Sequence, residues 1–247
     1  MGEAGIPEAE PNKLSRKGGA ASQLRLFCYT PFIQAPLAIF YFKVMSTSHP
    51  STERTLVIVK PDGVQRGLIG EVIKRYESVG LKLVGIKILV PTADKIEQHY
   101  TLDPEWRRIT GEKTIESYRS KGMQPPSEDP QEITGVILQN LRTYMTSGPA
   151  IFMVWQGAHA IKIIRKLTGG TEPLTSDVGT IRGDFVLDSY QMSDMDNRAI
   201  RNVIHASGSV DEANKEIAHW FNPSELVDYR LVQEGIIYDV NMDGILD

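Results

Sequence analysis

Cysteine is almost absent: Cys28 is the only one among 247 residues. No disulfide can close within the chain, and no thiolate zinc site can form. This suits a reducing compartment, and a cytoplasmic location is expected. Positive charge is not in surplus either, with 27 Lys and Arg against 31 Asp and Glu and a net charge of −4. Coating nucleic acid or an anionic membrane needs clustered cations, so neither is an expected partner. A charge-free run near the N-terminus, Leu26 to Phe42, is broken by Pro31, Gln34 and Pro36. It falls short of the about 20 apolar residues of a spanning helix, and no small-residue cleavage site follows it. Several motifs are missing as well: the G-x-x-x-x-G-K-[ST] phosphate loop, the G-x-G-x-x-G dinucleotide turn, a His pair at i, i+4 and the G-x-S-x-G elbow. Their absence removes support for the P-loop, Rossmann, metalloprotease and α/β-hydrolase chemistries.

What is present is an ordinary globular mix, 41% hydrophobic and 23% charged, enough to build a core. The first fifty residues differ from the rest. Residues 1–23 are rich in Gly, Ala, Pro, Glu, Ser and Lys without apolar periodicity, which reads as disorder. Residues 1–50 carry a net +2, leaving −6 for the remainder. We read 1–50 as an N-terminal extension and expect translation to start at Met45. Residues 51–238 are expected to form one catalytic domain, and 239–247 a short acidic tail, solvated or docked on a neighbouring subunit.

From residue 54 the pattern alternates between strand and helix. Thr55 to Lys60 is β-branched and apolar and ends at Pro61-Asp62-Gly63, a strand followed by a turn. Ile69, Val72, Ile73, Tyr76 and Val79 make one helical stripe, with Gly80 at a helix C-terminus. Leu81 to Leu89 reads as a strand, and Pro91-Thr92 opens a helix reaching Tyr100. Helices are expected near 104–118 and 130–146, a strand over 150–155, a helix over 159–167, a loop across 179–185 and a polar stretch at 187–197. A short strand is expected from Asn202 to Ala206. Ser209 and Glu212 have the spacing of a reciprocal capping box, and Val210, Ala213, Ile217 and Trp220 continue as a helix. Split βαβ units of this kind suit an antiparallel sheet with helices on one face.

Of the five histidines, His49 lies in the N-terminal extension, and His99, His159 and His219 read as surface or core-edge residues. His205 ends an apolar strand and is followed by Ala206, Ser207, Gly208 and Ser209, which leave a ring face open. The residues alone leave both a functional and a structural His205 open. Lys60, Arg165, Thr171 and the Gly179 to Gly183 segment supply cations and donors suited to phosphate.

These segments together carry a resemblance. Val59 to Gly67, Gly179 to Phe185, Asn202 to Ser207 and Trp220 to Leu226 resemble, in collinear order, the nucleoside diphosphate kinase family. The resemblance implies an α/β (α+β) sandwich, a ferredoxin-like βαββαβ fold with a four-stranded antiparallel sheet and added helices. It implies transfer of the γ-phosphate of a nucleoside triphosphate, mainly ATP, to a nucleoside diphosphate by a ping-pong route through a phosphohistidine at His205. Glu216 would orient the ring, with Ser207 beside it. Lys60 and Tyr100 would touch the transferring phosphate. Arg165, Thr171 and Arg182 would clamp phosphates, and Asn202 would bind the sugar. Mg²⁺ would arrive on the nucleotide without a dedicated protein cage. The assembly implied is a homo-oligomer, tetramer or hexamer. The other functions weighed are a catalytically weak binding or regulatory module and a phosphodonor to protein histidines.

The chain departs from the family pattern in four respects. It is longer between Tyr100 and Tyr144 and again at 187–199, Ile137 stands near the position of a base-stacking aromatic, and Gly208 replaces a usual Asp.

Overall fold

The structure is a computed structural model and describes residues 49–243. The expectations for residues 1–44, the Leu26 to Phe42 run among them, lie outside the described residues, as does the end of the tail from Gly244. Among the described residues no helix is long and apolar enough to cross a membrane.

The elements run β1 (Arg54–Val59), α1 (Pro61–Gln65), α2 (Ile69–Glu77), β2 (Lys82–Leu89), α3 (Ala93–Tyr100), α4 (Trp106–Ser120), α5 (Pro130–Met145) and β3 (Ala150–Gln156). They continue with α6 (Ala160–Thr168), α7 (Ile181–Phe185), α8 (Tyr190–Met195), β4 (Ile204–Ala206), α9 (Val210–Trp220) and α10 (Glu234–Ile237). The strands form one sheet in the order β2-β3-β1-β4. Every pairing is antiparallel, as the ferredoxin-like reading requires.

Both faces of the sheet are covered, not one. Side chains alternate along β1 and β3 with period two. Val57, Val59, Ile151, Met153 and Trp155 pack against Val72 and Tyr76 of α2 and Ile164 of α6. Leu56, Ile58, Phe152 and Val154 pack against Ile96 of α3, Met145 of α5 and Ile217 and Trp220 of α9. Strands buried on both faces read as continuous apolar runs, which is what TLVIV and AIFMVW are.

Local chemistry explains where the boundaries fall. Gly80 follows α2 at φ +88°, a conformation that costs other residues energy. The segment after β1 is a helical turn rather than a loop, because Pro61 takes the first helical position, where its missing N–H costs nothing. Most of the 179–185 segment is also helical, as α7 (Ile181–Phe185). Thr180 caps it by accepting from the Gly183 N–H, and Asp184 accepts from Gly179 N at 2.7 Å and from Arg75 of α2. Residues 190–195 form α8, capped by Ser189. The capping box before α9 is only half made: Ser209 accepts from Glu212 N, but the Glu212 carboxylate accepts from Gly208 N instead of Ser209 N.

Candidate active site

β4 is shorter than the sequence pattern suggested, and the reason bears on the site. Val203 has φ +55°, unfavourable for a β-branched residue. Ile204 N donates across it to Asn202 O at 2.6 Å, closing a three-residue turn. Lys60 N donates to the Val203 carbonyl at 2.8 Å, so the turn is pinned to the end of β1. Gly63 completes the contact: a Cβ there would lie 2.9 Å from Val59 Cγ1 and 3.0 Å from Val203 O. Strain held by its surroundings in this way is typical of functional sites.

The turn sets what faces where. Ile204 and Ala206 point to the α2–α6 side. By strand alternation His205, opposite Ile58 in the register, points to the α3–α9 side. There its Nε2 lies 2.9 Å from Glu216 Oε1. Glu216 belongs to the buried stripe of α9 with Ala213, Ile217 and Trp220, a carboxylate at a core position. Its second oxygen accepts from Ser207 Oγ at 2.6 Å, and Leu56 N donates to that hydroxyl oxygen at 3.2 Å. Burial alone would raise the Glu216 pKa, but His205, its bond, His99 and Ser207 outweigh it and hold the carboxyl at about 2. His205 donates Nε2–H to this carboxylate, so Nδ1 keeps its lone pair.

Lys60 ends β1 and is 5% exposed. Its ammonium donates to Asn202 Oδ1 at 2.7 Å and lies over the Tyr144 ring. Burial, followed by the nearby Arg182, lowers its pKa to about 7. Asn202 Nδ2 in turn donates to the Thr171 carbonyl at 2.9 Å. The backbone of Thr171 thus joins the site, while its side chain is exposed. Arg165 sits in the last turn of α6 and reaches Ala206 O at 3.4 Å. Tyr100, at the end of α3, stands edge-on to His99 and tilted against Trp106, and burial raises its pKa.

Arg182, for which the resemblance implies a phosphate clamp, is largely engaged with backbone carbonyls. Its Nε donates to Asn202 O, its Nη1 to Gly169 O and Gly170 O, and its Nη2 to Ile204 O at 2.6 Å. A guanidinium has five N–H groups, so one remains for a ligand. Arg182 ties the 169–170 loop to the strained turn.

Sequence reading passed over His99, Trp220, Tyr144 and Asp62. Tyr144 donates to Asp62 Oδ1 at 2.6 Å. His99 is buried beside Glu216, with Nε2 3.6 Å from Oε1. The available signal was its position three residues after Ile96 on the buried side of α3. His99, His205 and Glu216 are the one cluster of potential metal ligands among the described residues. With two nitrogens and a carboxylate whose oxygens are both engaged, the cluster does not fit Mg²⁺, which wants oxygens in octahedral array. Cavities of about 530 and 340 Å³ lie beside α1, and both are lined by Asp62, Arg198 and Arg201 rather than by His205.

Known proteins decide what this arrangement is. The family model described as nucleoside diphosphate kinase matches residues 53–111 and 133–226. The chain belongs to the nucleoside diphosphate kinase family. It is 42% identical over 180 residues to the nucleoside diphosphate kinase of Pyrobaculum aerophilum, covering 71% of this chain and 98% of that protein. It is 39% identical over 189 residues to mouse nucleoside diphosphate kinase A, covering 76% and 99%. The crystal structure of the Pyrobaculum aerophilum enzyme superposes with a TM-score of 0.68 at 40% identity, covering 72% of this chain and all of that one. A Borrelia burgdorferi nucleoside diphosphate kinase, a transition-state mimic with bound vanadate and ADP, gives 0.62 at 36% identity, covering 74% and 95%. The enzyme is therefore a phosphotransferase acting on nucleotides. Residues 112–132, unmatched by the family model, are the rest of α4, the loop and the first turn of α5, so the first insertion extends a helical hairpin. The position of the usual Asp is also informative: a Cβ on Gly208 would lie 2.8 Å from Glu212 Oε2, so a glutamate carboxylate already occupies that neighbourhood.

Proposed function

We propose that His205 Nδ1 is the atom that accepts the phosphoryl group, with the surrounding residues in the roles given below. The observation that carries this reading is the 2.9 Å contact of His205 Nε2 with Glu216, which leaves the other ring nitrogen as the nucleophile. In the first half-reaction the Nδ1 lone pair forms a bond to the γ-phosphorus. The bond from that phosphorus to the β,γ-bridging oxygen breaks, and the nucleoside diphosphate leaves with the electron pair. The Nε2 proton stays on the ring. The positive charge gained by the phosphoimidazole is offset by Glu216, itself held by Ser207. The second half-reaction reverses these events on another nucleoside diphosphate. Covalent transfer splits one difficult exchange into two easier ones.

Phosphoryl transfer depends on positioning and positive charge around the equatorial oxygens. Lys60 and Tyr100 contact the transferring phosphate. Arg165, the Thr171 hydroxyl and the one spare N–H of Arg182 hold the flanking phosphates. Asn202, fixed between Lys60 and Thr171, meets the sugar. Mg²⁺ bound to the nucleotide would neutralise phosphate charge, and no protein cage would be needed to hold it.

We also infer a cytoplasmic homo-oligomer, tetramer or hexamer. Strand β2 is a sheet edge with Ile86 and Ile88 exposed, and an edge of this kind can pair with the same edge of a second copy. Light scattering behind size exclusion tests the assembly, and a monomer at micromolar concentration would refute it. The chemistry is tested by incubation with γ-labelled ATP and Mg²⁺ and a GDP chase. Acid-labile, base-stable label that passes to GDP and is lost in His205→Ala supports the assignment; a folded wild type that takes no label defeats it.

A further inference from the structure

We propose that His99 is a positioning residue for Glu216, held in one tautomer by Trp220. The inference rests on the reading of His205 as phosphoryl acceptor and extends it to a residue that touches no substrate. Trp220 Nε1 donates to His99 Nδ1 at 3.2 Å. An indole N–H can only donate, so Nδ1 must be the accepting nitrogen, and a neutral ring then carries its proton on Nε2. That N–H lies 3.6 Å from Glu216 Oε1, the oxygen that also faces His205. The separation exceeds a hydrogen bond, so the interaction is between a dipole and a charge, strengthened by the low dielectric of a buried site. The opposite tautomer would aim a lone pair at the carboxylate and push it away.

His99 also touches the nucleophile directly. Its ring stands edge-on to that of His205, with centroids 4.9 Å apart and planes at 81°. The groups facing His99 are His205 from β4, Glu216 and His219 from α9, Lys60 from the end of β1 and Tyr100 beside it on α3. Burial, then His205, pushes its pKa down to about 3, so the ring is neutral at working pH. Trp220 is itself fixed, 4.2 Å from the Phe152 ring. Donors thus run in one direction, from Trp220 to His99, from His99 to Glu216 and from His205 to Glu216. The order keeps the proton on His205 Nε2 and the lone pair on Nδ1.

The test compares His99→Phe, His99→Gln and Trp220→Phe in the full chain, by single-turnover phosphorylation with ATP and Mg²⁺ read as intact mass. We expect His99→Phe to slow phosphorylation about tenfold with nucleotide affinity unchanged, and Trp220→Phe to slow it less. His99→Gln should recover most of the rate, since its amide both accepts from Trp220 and donates to Glu216. A wild-type rate in His99→Phe, equal losses in His99→Phe and His99→Gln, or a loss confined to affinity would overturn the proposal. ¹⁵N NMR of the wild-type ring gives a second arm that needs no variant to fold. It should show an Nε2-protonated His99 that does not titrate between pH 8 and 5, and an Nδ1-protonated or titrating ring refutes the proposal. Absence of label on wild-type His205 would instead refute the assigned function, because the NMR arm is read without turnover.

Discussion

Glu216 divides its two oxygens between two neighbours, accepting from His205 Nε2 at 2.9 Å and from Ser207 Oγ at 2.6 Å. One carboxylate thereby fixes both the tautomer and the orientation of the His205 ring. Glu216→Gln keeps the volume but presents an amide that can donate where the ring must donate. We expect kcat to fall about 10²-fold or more with KM nearly unchanged. Stopped-flow phosphorylation checks this, and a loss expressed mainly in KM would contradict the orienting role.

Lys60 is an ammonium buried at the end of a core strand, with its pKa lowered to about 7 by burial and then by Arg182. At pH 8 it is mostly neutral in the free enzyme, and a bound phosphate restores the charged form. Nucleotide binding should therefore take up close to one proton at pH 8 and clearly less at pH 6. Calorimetry in buffers of different ionisation enthalpy measures this uptake. For stability, the unfolded chain holds more protons than the folded one between about 7 and the ordinary value of 10.5, so stability rises with pH across that window and is lowest below it. Lys60→Met should accordingly abolish turnover yet raise Tm at pH 6 by a few degrees, roughly 2–8 °C.

Much of this was legible in the residues because each signal had a local cause. The strands showed as β-branched runs, α2 as a stripe ending at Gly80, and His205 by the small residues after it. The turn at Val203 was not legible, since no propensity places a β-branched residue at positive φ; tertiary bonds from Lys60 and Arg182 impose it. The expected helices were assigned to one sheet face, because a run such as AIFMVW does not reveal how many faces are buried. Residue type does not show that four of the five Arg182 N–H groups serve backbone carbonyls. His99 was passed over because a lone histidine in a helix carries no signal until Glu216 and Trp220 meet it.

The two arginines should separate in experiment. Arg182→Lys cannot satisfy four carbonyls from one ammonium and leaves buried acceptors unpaired, each costing about 1–3 kcal/mol. We expect a clear loss of stability, about 2 kcal/mol or more, together with a loss of activity. Arg165 is exposed and makes one long bond to Ala206 O, so Arg165→Lys should leave urea stability within about 0.5 kcal/mol while raising KM for nucleotides. Equal stability losses in the two variants would contradict the structural assignment of Arg182.

Acid sensitivity follows from the same cluster. His99 is held at about 3 by burial and then by His205, against an ordinary value of 6.5. Below 6.5 the unfolded chain binds the proton that the folded chain refuses, so stability is lost as pH falls from about 6.5 toward 3. Glu216, lowered to about 2 despite its burial, works in the same direction over a lower window, from 4.5 toward 2. His99→Phe removes the first contribution and leaves the second. Urea melts at intervals from pH 7 to pH 4 should show wild-type stability declining from near pH 6.5, and a His99→Phe curve that stays flatter until about pH 4.5. Parallel curves would mean that His99 is protonated in the folded state and that Trp220 does not fix its tautomer.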